Sequence, residues 1–424
     1  MRTLLLVSVA LAATASACGA PVLTHQERLL LGEFAMGPPP PDSSNAWADD
    51  PVAAVLGQQL FFDPRFSGPL VLADDGTNGG LGVEGESGKV SCSSCHDPSN
   101  GGSDHRSMPP NTSLAAGRTG RNAPTCLNAA WSEWQFWDGR KDSLWSQALG
   151  PTESAVEHNA SRLLVAHVLD SAYAAQYGGV FSAFPDLSDA GRFPPSGKPG
   201  DPSWEGMTSA DQQTINTIFV NFGKAVAAYE RLLVSRDSSF DGFLAGDDGA
   251  MSDAAVRGAK LFVGRASCNE CHRGPNLADG RFHNLGVPQI GDYVPAIDRG
   301  RADGIPQVVG DVFNRGGTFS DDPTSSQLGG LTAGPLDLGS FKTPTLRSVS
   351  RTAPYMHNGS LSTLRDVVLF YRDGGGDDLY VGQKSPKIRA LLLSDRDVDD
   401  LTEFLRALDG APLSESISTA PVLP

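Results

Sequence analysis

Two short stretches, Cys92-Ser93-Ser94-Cys95-His96 and Cys268-Asn269-Glu270-Cys271-His272, decide how this chain folds. In each, two cysteines stand three residues apart and a histidine follows the second cysteine. This spacing lets both thiols bond the vinyl groups of one haem while the adjacent histidine reaches the iron. We therefore expect two covalently bound haem c groups, with His96 and His272 as iron ligands. The expected attachment sites are Cys92, Cys95, Cys268 and Cys271.

Two other interpretations of these four cysteines are weaker. A disulfide between cysteines three apart is strained and usually redox-active, and it needs no histidine after each pair. A shared zinc site normally has its two cysteine pairs about 15–20 residues apart, whereas these pairs lie far apart in the chain. Cys126 has no partner in this scheme and is expected to be a small buried residue.

Composition describes a soluble, loop-rich protein that does not bind nucleic acid. The 424 residues suffice for two or three domains, and 48 glycines and 30 prolines predict many long loops. The formal net charge of −16 argues against nucleic acid and against an acidic membrane surface as partners. A protein partner is expected to offer a basic patch.

The N-terminus is typical of an export signal over residues 1–17. Arg2 is followed by an apolar run at 4–13 that is too short to span a bilayer. Ala15-Ser16-Ala17 then precedes Cys18, which suits lipoprotein processing with Cys18 as the lipidated mature N-terminus. Ordinary cleavage that leaves a free thiol is the alternative. In both cases we expect export to the periplasmic side, and the first adds a lipid anchor.

A repeated pattern predicts a duplicated, mainly α fold. Asp50 and Ser252 each cap a helix that carries Gly-x-x-Leu-Phe, at 57–61 and 258–262, and that leads into one haem-binding stretch. Two further capped, periodic helices are predicted over 208–233 and 394–408. We expect two cytochrome c-like haem domains with long irregular loops. Their predicted ranges are 48–184 and 206–410, with a linker at 185–205 and a disordered tail at 411–424.

Over residues 56–408 the sequence resembles the bacterial di-haem cytochrome c peroxidases and MauG proteins. The matching segments are Leu60-Phe61-Phe62-Asp63-Pro64-Arg65, Arg121-Asn122-Ala123-Pro124-Thr125, Phe136-Trp137-Asp138-Gly139-Arg140, Gln147-Ala148-Leu149-Gly150-Pro151, Phe282-His283-Asn284-Leu285-Gly286, Pro344-Thr345-Leu346-Arg347 and Ala353-Pro354-Tyr355-Met356-His357. The stretch 142–151 with Glu157-His158 is most similar to the MauG-like, MbnH-like branch, which implies oxidation of a partner protein.

The resemblance implies roles for residues that would otherwise be unremarkable. Glu157 falls on the acid–base group of the peroxide site, Gln147 on the glutamine beside it, and Trp137 on the tryptophan between the haems. Taken alone, such a glutamate is usually a surface charge and such a tryptophan a core residue. The implied ligands of a calcium ion between the domains are Asn122, Thr352 and the carbonyl of Pro354.

Two departures favour the MauG-like branch. The loop after the first haem-binding stretch has no histidine near Leu114, and only His105 and the weaker candidate Met108 remain to cover the first iron. The first haem is therefore expected to have an open face. Tyr371 stands fourteen residues after His357, where the peroxidases have an axial methionine and MauG-like proteins a tyrosine. A half-buried aromatic of a helix is the other interpretation of Tyr371.

The expected function is oxidation of an external, protein substrate by hydrogen peroxide through the two haems. One alternative is a peroxidase that removes hydrogen peroxide and is reduced by a small redox protein. Another is an electron-transfer cytochrome without catalysis, which Glu157 and an open haem argue against. The expected partners are hydrogen peroxide and a protein that serves as electron donor or as substrate.

Overall fold

The computed structural model describes residues 21–72, 81–106 and 112–424. The expected export signal, Cys18 and Met108 lie outside the described residues. Within them the fold is mainly α-helical, with long irregular segments, as predicted. The helices are α1 His25–Gly32, α2 Pro51–Phe62, α3 Leu144–Glu153, α4 Arg162–Val180, α5 Pro202–Glu205, α6 Ser209–Glu230, α7 Ser239–Leu244, α8 Asp253–Val263, α9 Arg301–Gly310, α10 Leu364–Arg372, α11 Asp395–Arg406 and α12 Glu415–Ser418.

A small sheet joins two of the segments that carry haem-site residues. Strands β1 (Phe282–His283) and β2 (Phe341–Lys342) are antiparallel, with Phe282 opposite Lys342. The sequence showed no alternating run here because strands of two residues are too short to display one.

The first core is built on the crossing of α2 and α6. The Asp50 side chain accepts hydrogen bonds from Val52 N and Ala53 N, so the predicted cap starts α2. At Gly57, an added Cβ would lie 1.9 Å from the carbonyl oxygen of Ala225 in α6. Only a glycine lets the two backbones come this close.

The second core repeats this arrangement with α8 and α11. Ser252 caps α8, and Ser394 and Asp397 form the capping box that starts α11. An added Cβ on Gly258 would lie 2.0 Å from the carbonyl oxygen of Asp400. In both halves, the glycine of the repeated Gly-x-x-Leu-Phe pattern thus allows two helix backbones to cross in close contact.

The position of α6 differs from the predicted division of the chain at residue 206. Ile215, Phe219 and Phe222 of α6 are buried in the first core together with Leu60 and Leu149. The helix therefore groups with 48–184 and not with the second core. Its periodicity shows that it has an apolar face, but not which core that face covers.

The C-terminal tail, predicted to be disordered, is instead packed on the first core. Gln58 donates to the carbonyl oxygen of Ser416 at 2.8 Å, and the Tyr229 hydroxyl donates to that of Ile417 at 2.5 Å. Ile417 also packs against the first core. The sequence pattern of 411–424 does not reveal this docking, because the contacts depend on backbone carbonyls as acceptors.

Candidate functional site

The first haem-binding stretch forms a single 3₁₀ turn, Cys92–Ser94, directly before His96. The backbone N–H of His96 donates to Cys92 O at 3.0 Å, which turns both cysteines and the imidazole toward one space. His96 Nδ1 lies 3.4 Å from Gly102 O, which leaves Nε2 free. Burial lowers the pKa of His96 and so favours the neutral imidazole, the form that ligates iron.

The second stretch has the same local geometry. Its 3₁₀ turn is Cys268–Glu270, and His272 N donates to Cys268 O at 2.9 Å. His272 Nδ1 lies 2.9 Å from Leu277 O, and burial again lowers the pKa of the imidazole. Two separate parts of the chain thus build the same donor arrangement, as their shared pattern predicted.

Each stretch opens onto its own cavity. The first cavity measures about 500 Å³ and the second about 280 Å³. The first is lined by Cys92, Cys95, His96, Gln147 and Glu157, among others. The second is lined by Cys268, Cys271, His272, Tyr371 and Met356, among others.

Lys342 shows that the second cavity fits a haem. Its Nζ donates to Ser132 Oγ at 3.1 Å, and no carboxylate of the described residues pairs with it. Burial lowers the pKa of this lysine to about 8. The propionates of a haem would supply the missing negative charge, so the donor set and the charge of the cavity both fit this group.

The structure brings both predicted peroxide-site residues into the first cavity with His96. Gln147 lies in α3, which Ser143 caps, and Glu157 lies in the turn that follows this helix. The backbone of Glu157 is held by Ser154 O at 3.2 Å and by Ala116 N at 2.8 Å. Its carboxylate is close enough to His96 to favour the charged imidazole. Their placement suits the predicted roles, which stay predictions.

Trp137 lines both cavities. Its indole N–H donates to Asn122 O at 2.8 Å, and its own carbonyl accepts from Lys342 N at 2.7 Å. The loop after the first haem-binding stretch thus holds the indole, and β2 holds the backbone of the same residue.

Tyr371 lies in the last turn of α10 and lines the second cavity with His272. It stands eight residues after the helix cap Thr363, as Pro151 does after the cap Ser143 of α3. The repeat thus places a potential ligand over one cavity and a proline over the other. Burial raises the pKa of the Tyr371 hydroxyl, and a nearby iron cation would favour the phenolate.

Two of the three predicted calcium ligands are in direct contact. Asn122 Nδ2 donates to Pro354 O at 2.8 Å, whereas Asn122 Oδ1 is buried and has no hydrogen-bond partner among the described residues. The Thr352 hydroxyl donates to Val349 O at 3.0 Å. A buried amide oxygen without a partner, next to a backbone carbonyl, fits a hard cation such as Ca²⁺.

His105 lies away from the first iron site. Its Nε2 is hydrogen bonded to Asn100 O, and it is not among the described residues that line the first cavity. Gln147 and Glu157 line this cavity together with His96, Ser113 and Ala115.

An ionic contact that no sequence pattern predicts joins the two halves. Arg121 donates to both oxygens of Asp298 at 2.7 Å and to Asp138 at 2.6 Å, and these carboxylates raise its pKa. Arg121 precedes Asn122, and Asp138 follows Trp137, so the contact holds the segment between the cavities. The matching segments contain Arg121 and Asp138, but nothing in the sequence pairs them with Asp298.

The position of Tyr371 is defined in the sequence by its distance from His357. His357 is itself buried and lines the second cavity. Its ring stacks on Phe341 with 3.6 Å between centroids, and its Nε2 lies 2.9 Å from Gln289 Nε2. In the internal repeat it matches Trp137, since each follows a residue of positive φ, Met356 or Phe136.

Among the residues that the structure describes, no helix is both long and apolar enough to cross a bilayer.

Comparisons with known proteins agree with this site. A family profile described as di-haem cytochrome c peroxidase matches residues 51–249. The cytochrome-c peroxidase IdrP1 of Denitromonas iodatirespirans is 33% identical, over 88% of this chain and 86% of its own. The methylamine utilization protein MauG of Methylophilus methylotrophus is 29% identical, over 91% and 90%.

A solved structure shows the same architecture. It is a MauG-like protein associated with microbial copper homeostasis, with a TM-score of 0.61 and 26% identity, and the match covers 91% of this chain and 95% of that one. With two haem-binding stretches in two matching cavities, the chain belongs to the di-haem cytochrome c peroxidase and MauG family of oxidoreductases.

Proposed function

We propose that this protein uses hydrogen peroxide at the first haem to oxidise an external protein through the second haem, as a MauG-like enzyme. The observation that carries the proposal is the shared lining of the first cavity. Gln147, Glu157 and His96 face one space there, and Trp137 connects this space to the second cavity. When bound, the two haems supply the iron that binds peroxide and the electrons of the reaction.

Glu157 is the proton carrier in this scheme. Its carboxylate takes the proton from the inner oxygen of peroxide and delivers it to the outer oxygen, which leaves as water. Gln147 hydrogen-bonds the peroxide and orients it toward Glu157. Both groups are placed by α3 and the turn after it, so their separation does not depend on a flexible loop.

Trp137, which lines both cavities, is the residue that would carry an electron from the second haem toward the first when both are bound. Its indole N–H is held by Asn122 O and its backbone carbonyl by Lys342 N of β2. The buried Oδ1 of Asn122 and the carbonyl of Pro354 would hold a calcium ion beside this ring, with Thr352 as a further oxygen ligand.

Tyr371 and His272 are the proposed ligands of the second iron. A phenolate is anionic and favours high oxidation states, whereas a thioether raises the potential and favours the reduced state. A second haem held by these two residues would therefore be suited to keep an oxidising equivalent until the external protein supplies an electron. Export, with a lipid anchor at Cys18, would place the protein on the periplasmic side.

A second candidate function is removal of hydrogen peroxide with electrons from a small redox protein. It is favoured by the relatives named cytochrome-c peroxidases, which are as similar to this chain as the MauG proteins are. In both functions the second haem would take electrons from its partner, which is the oxidised product in the first and a recycled electron donor in the second.

An electron paramagnetic resonance spectrum of the resting protein tests the proposal. We expect a high-spin signal from the haem with an open face and a low-spin signal from a histidine–tyrosine pair. Two low-spin signals, one of them with the features of histidine–methionine ligation, would contradict the MauG-like function and favour peroxide removal.

A further inference from the structure

One buried acid of the first cavity has no part in the mechanism above. Glu230 is the last residue of α6 and lines the cavity on the side of Cys92 and Phe61, where the haem would be attached. It is 7% exposed, and its Oε2 is buried without a hydrogen-bond partner among the described residues. Burying a carboxyl group with an unpaired oxygen lowers the stability of the folded protein. A functional reason for the position of Glu230 is therefore expected.

Among the residues that the structure describes, no cation pairs with Glu230. Its closest electrostatic neighbours are the thiols of Cys92 and Cys126 and the hydroxyl of Tyr229. The Tyr229 hydroxyl donates to Ile417 O, and Arg231, the next residue along the chain, turns away to pair with Asp49 at 2.7 Å. From α2 and α3 the described lining of this cavity includes the apolar Phe61, Leu144 and Ala148 and the uncharged Gln147.

The arginines among the described residues that line the first cavity are already paired. Their partners are carboxylates of the same cavity: Arg121 with Asp138 and Asp298, Arg140 with Asp138, and Arg299 with Asp303. Once Cys92 is bonded to a haem, it carries no charge either. The nearest charge that can change beside Glu230 is then the charge of the haem and its iron.

Burial alone raises the pKa of Glu230 to about 8. A carboxyl group with such a pKa changes its charge in response to a modest change of nearby potential. An electron added next to Glu230 raises the pKa of its carboxyl group, because the extra negative charge disfavours the carboxylate and favours the neutral acid.

We propose that Glu230 binds a proton when the haem attached at Cys92 and Cys95 gains an electron, and releases it when the electron leaves. The reaction adds one electron, from a donor protein or a chemical mediator, and one proton, from solvent, to the pair formed by the haem and the Glu230 carboxylate. The total charge of the cavity stays constant. The consequence is a first haem whose reduction potential depends on pH, through a residue separate from the peroxide-binding Glu157.

The test is a spectroelectrochemical titration of the two-haem protein at several pH values. In the unaltered protein we expect the potential of the first haem to fall with rising pH above neutrality, with a slope that approaches one proton per electron. Glu230→Gln should remove most of this slope and leave the potential of the second haem unchanged. Glu157→Gln is the matched comparison, because it alters another carboxyl group of the same cavity and should keep the slope.

Two results would overturn the proposal. One is a Glu230→Gln protein whose first haem keeps the full slope, and the other is loss of the slope in Glu157→Gln alone. If Glu230→Gln does not take up haem, redox-difference infrared spectra of the unaltered protein decide instead. Reduction of the first haem should produce the carbonyl stretch of a newly protonated carboxylic acid, and the absence of that band would also overturn the proposal.

Discussion

The indole N–H of Trp137 donates to the backbone carbonyl of Asn122 at 2.8 Å. The side chain of Asn122 in turn contacts the carbonyl of Pro354, which belongs to the second half of the chain. The ring that lines both haem cavities is thus fixed by a residue that itself bridges the two halves. Any change that separates the halves should therefore move Trp137 as well.

The purified protein should carry two covalent haems. Mass spectrometry after expression with a working haem-maturation system should show two haem additions, since both cysteine pairs lie in cavities with a histidine. Cys268→Ala combined with Cys271→Ala should leave one. A single addition in the unaltered protein would remove the basis of the whole functional assignment.

Peroxide should react with the fully oxidised protein without prior reduction. No histidine of the loop lies over the first cavity, because His105 is bound to Asn100 O. Rapid mixing of the resting protein with hydrogen peroxide should change the haem spectrum within seconds. A reaction that begins only after half-reduction would assign the protein to the peroxidases that open their first haem on reduction.

Glu157→Gln should slow the reaction with peroxide by about 10²-fold or more, the usual contribution of one positioned acid–base group. Both haems should stay bound, since the backbone of Glu157 and not its carboxylate makes the hydrogen bonds to Ser154 and Ala116. Glu84→Gln, which alters an exposed glutamate, is the control. Equal rate constants for both variants would exclude Glu157 from proton transfer.

Tyr371→Met should raise the reduction potential of the second haem, because a neutral thioether replaces an anionic oxygen ligand. Tyr371→Phe should leave this iron without its second protein ligand and change its low-spin spectrum. Tyr380→Phe is the control, since Tyr380 lines the same cavity. If the Tyr371→Phe protein keeps the spectrum and potential of the parent, the ligand is another residue and the MauG-like function loses its main support.

Gly57→Ala should lower the free energy of unfolding by roughly 1–3 kcal/mol, the usual cost of overpacking. The new Cβ would lie 1.9 Å from Ala225 O, so α2 and α6 must separate. Gly178→Ala in α4 is the control: its Cβ meets nothing within 4 Å, and we expect a neutral or slightly stabilising effect. Chemical denaturation curves of the two variants measure the difference, and equal midpoints would contradict this account of the crossing.

Local chemistry made much of this protein predictable from its sequence. The two Cys-x-x-Cys-His stretches predict the haem-binding turns because attachment needs fixed spacing within five residues. The helix caps at Asp50, Ser252 and Ser394 are equally local, and each starts a helix as expected. The resemblance to known families added candidates, among them Glu157 and Trp137, which the structure places in the cavities.

Tertiary structure alone decided which distant segments meet. The docking of α6 and of the tail on the first core, the Arg121–Asp298 contact and the burial of Glu230 all join residues with no pattern between them in the chain. The physical reason is that burial and ion pairing depend on the whole fold. A glutamate at the end of an amphipathic helix looks solvated in the sequence, and only the packing of α6 under the first haem cavity makes it a buried acid.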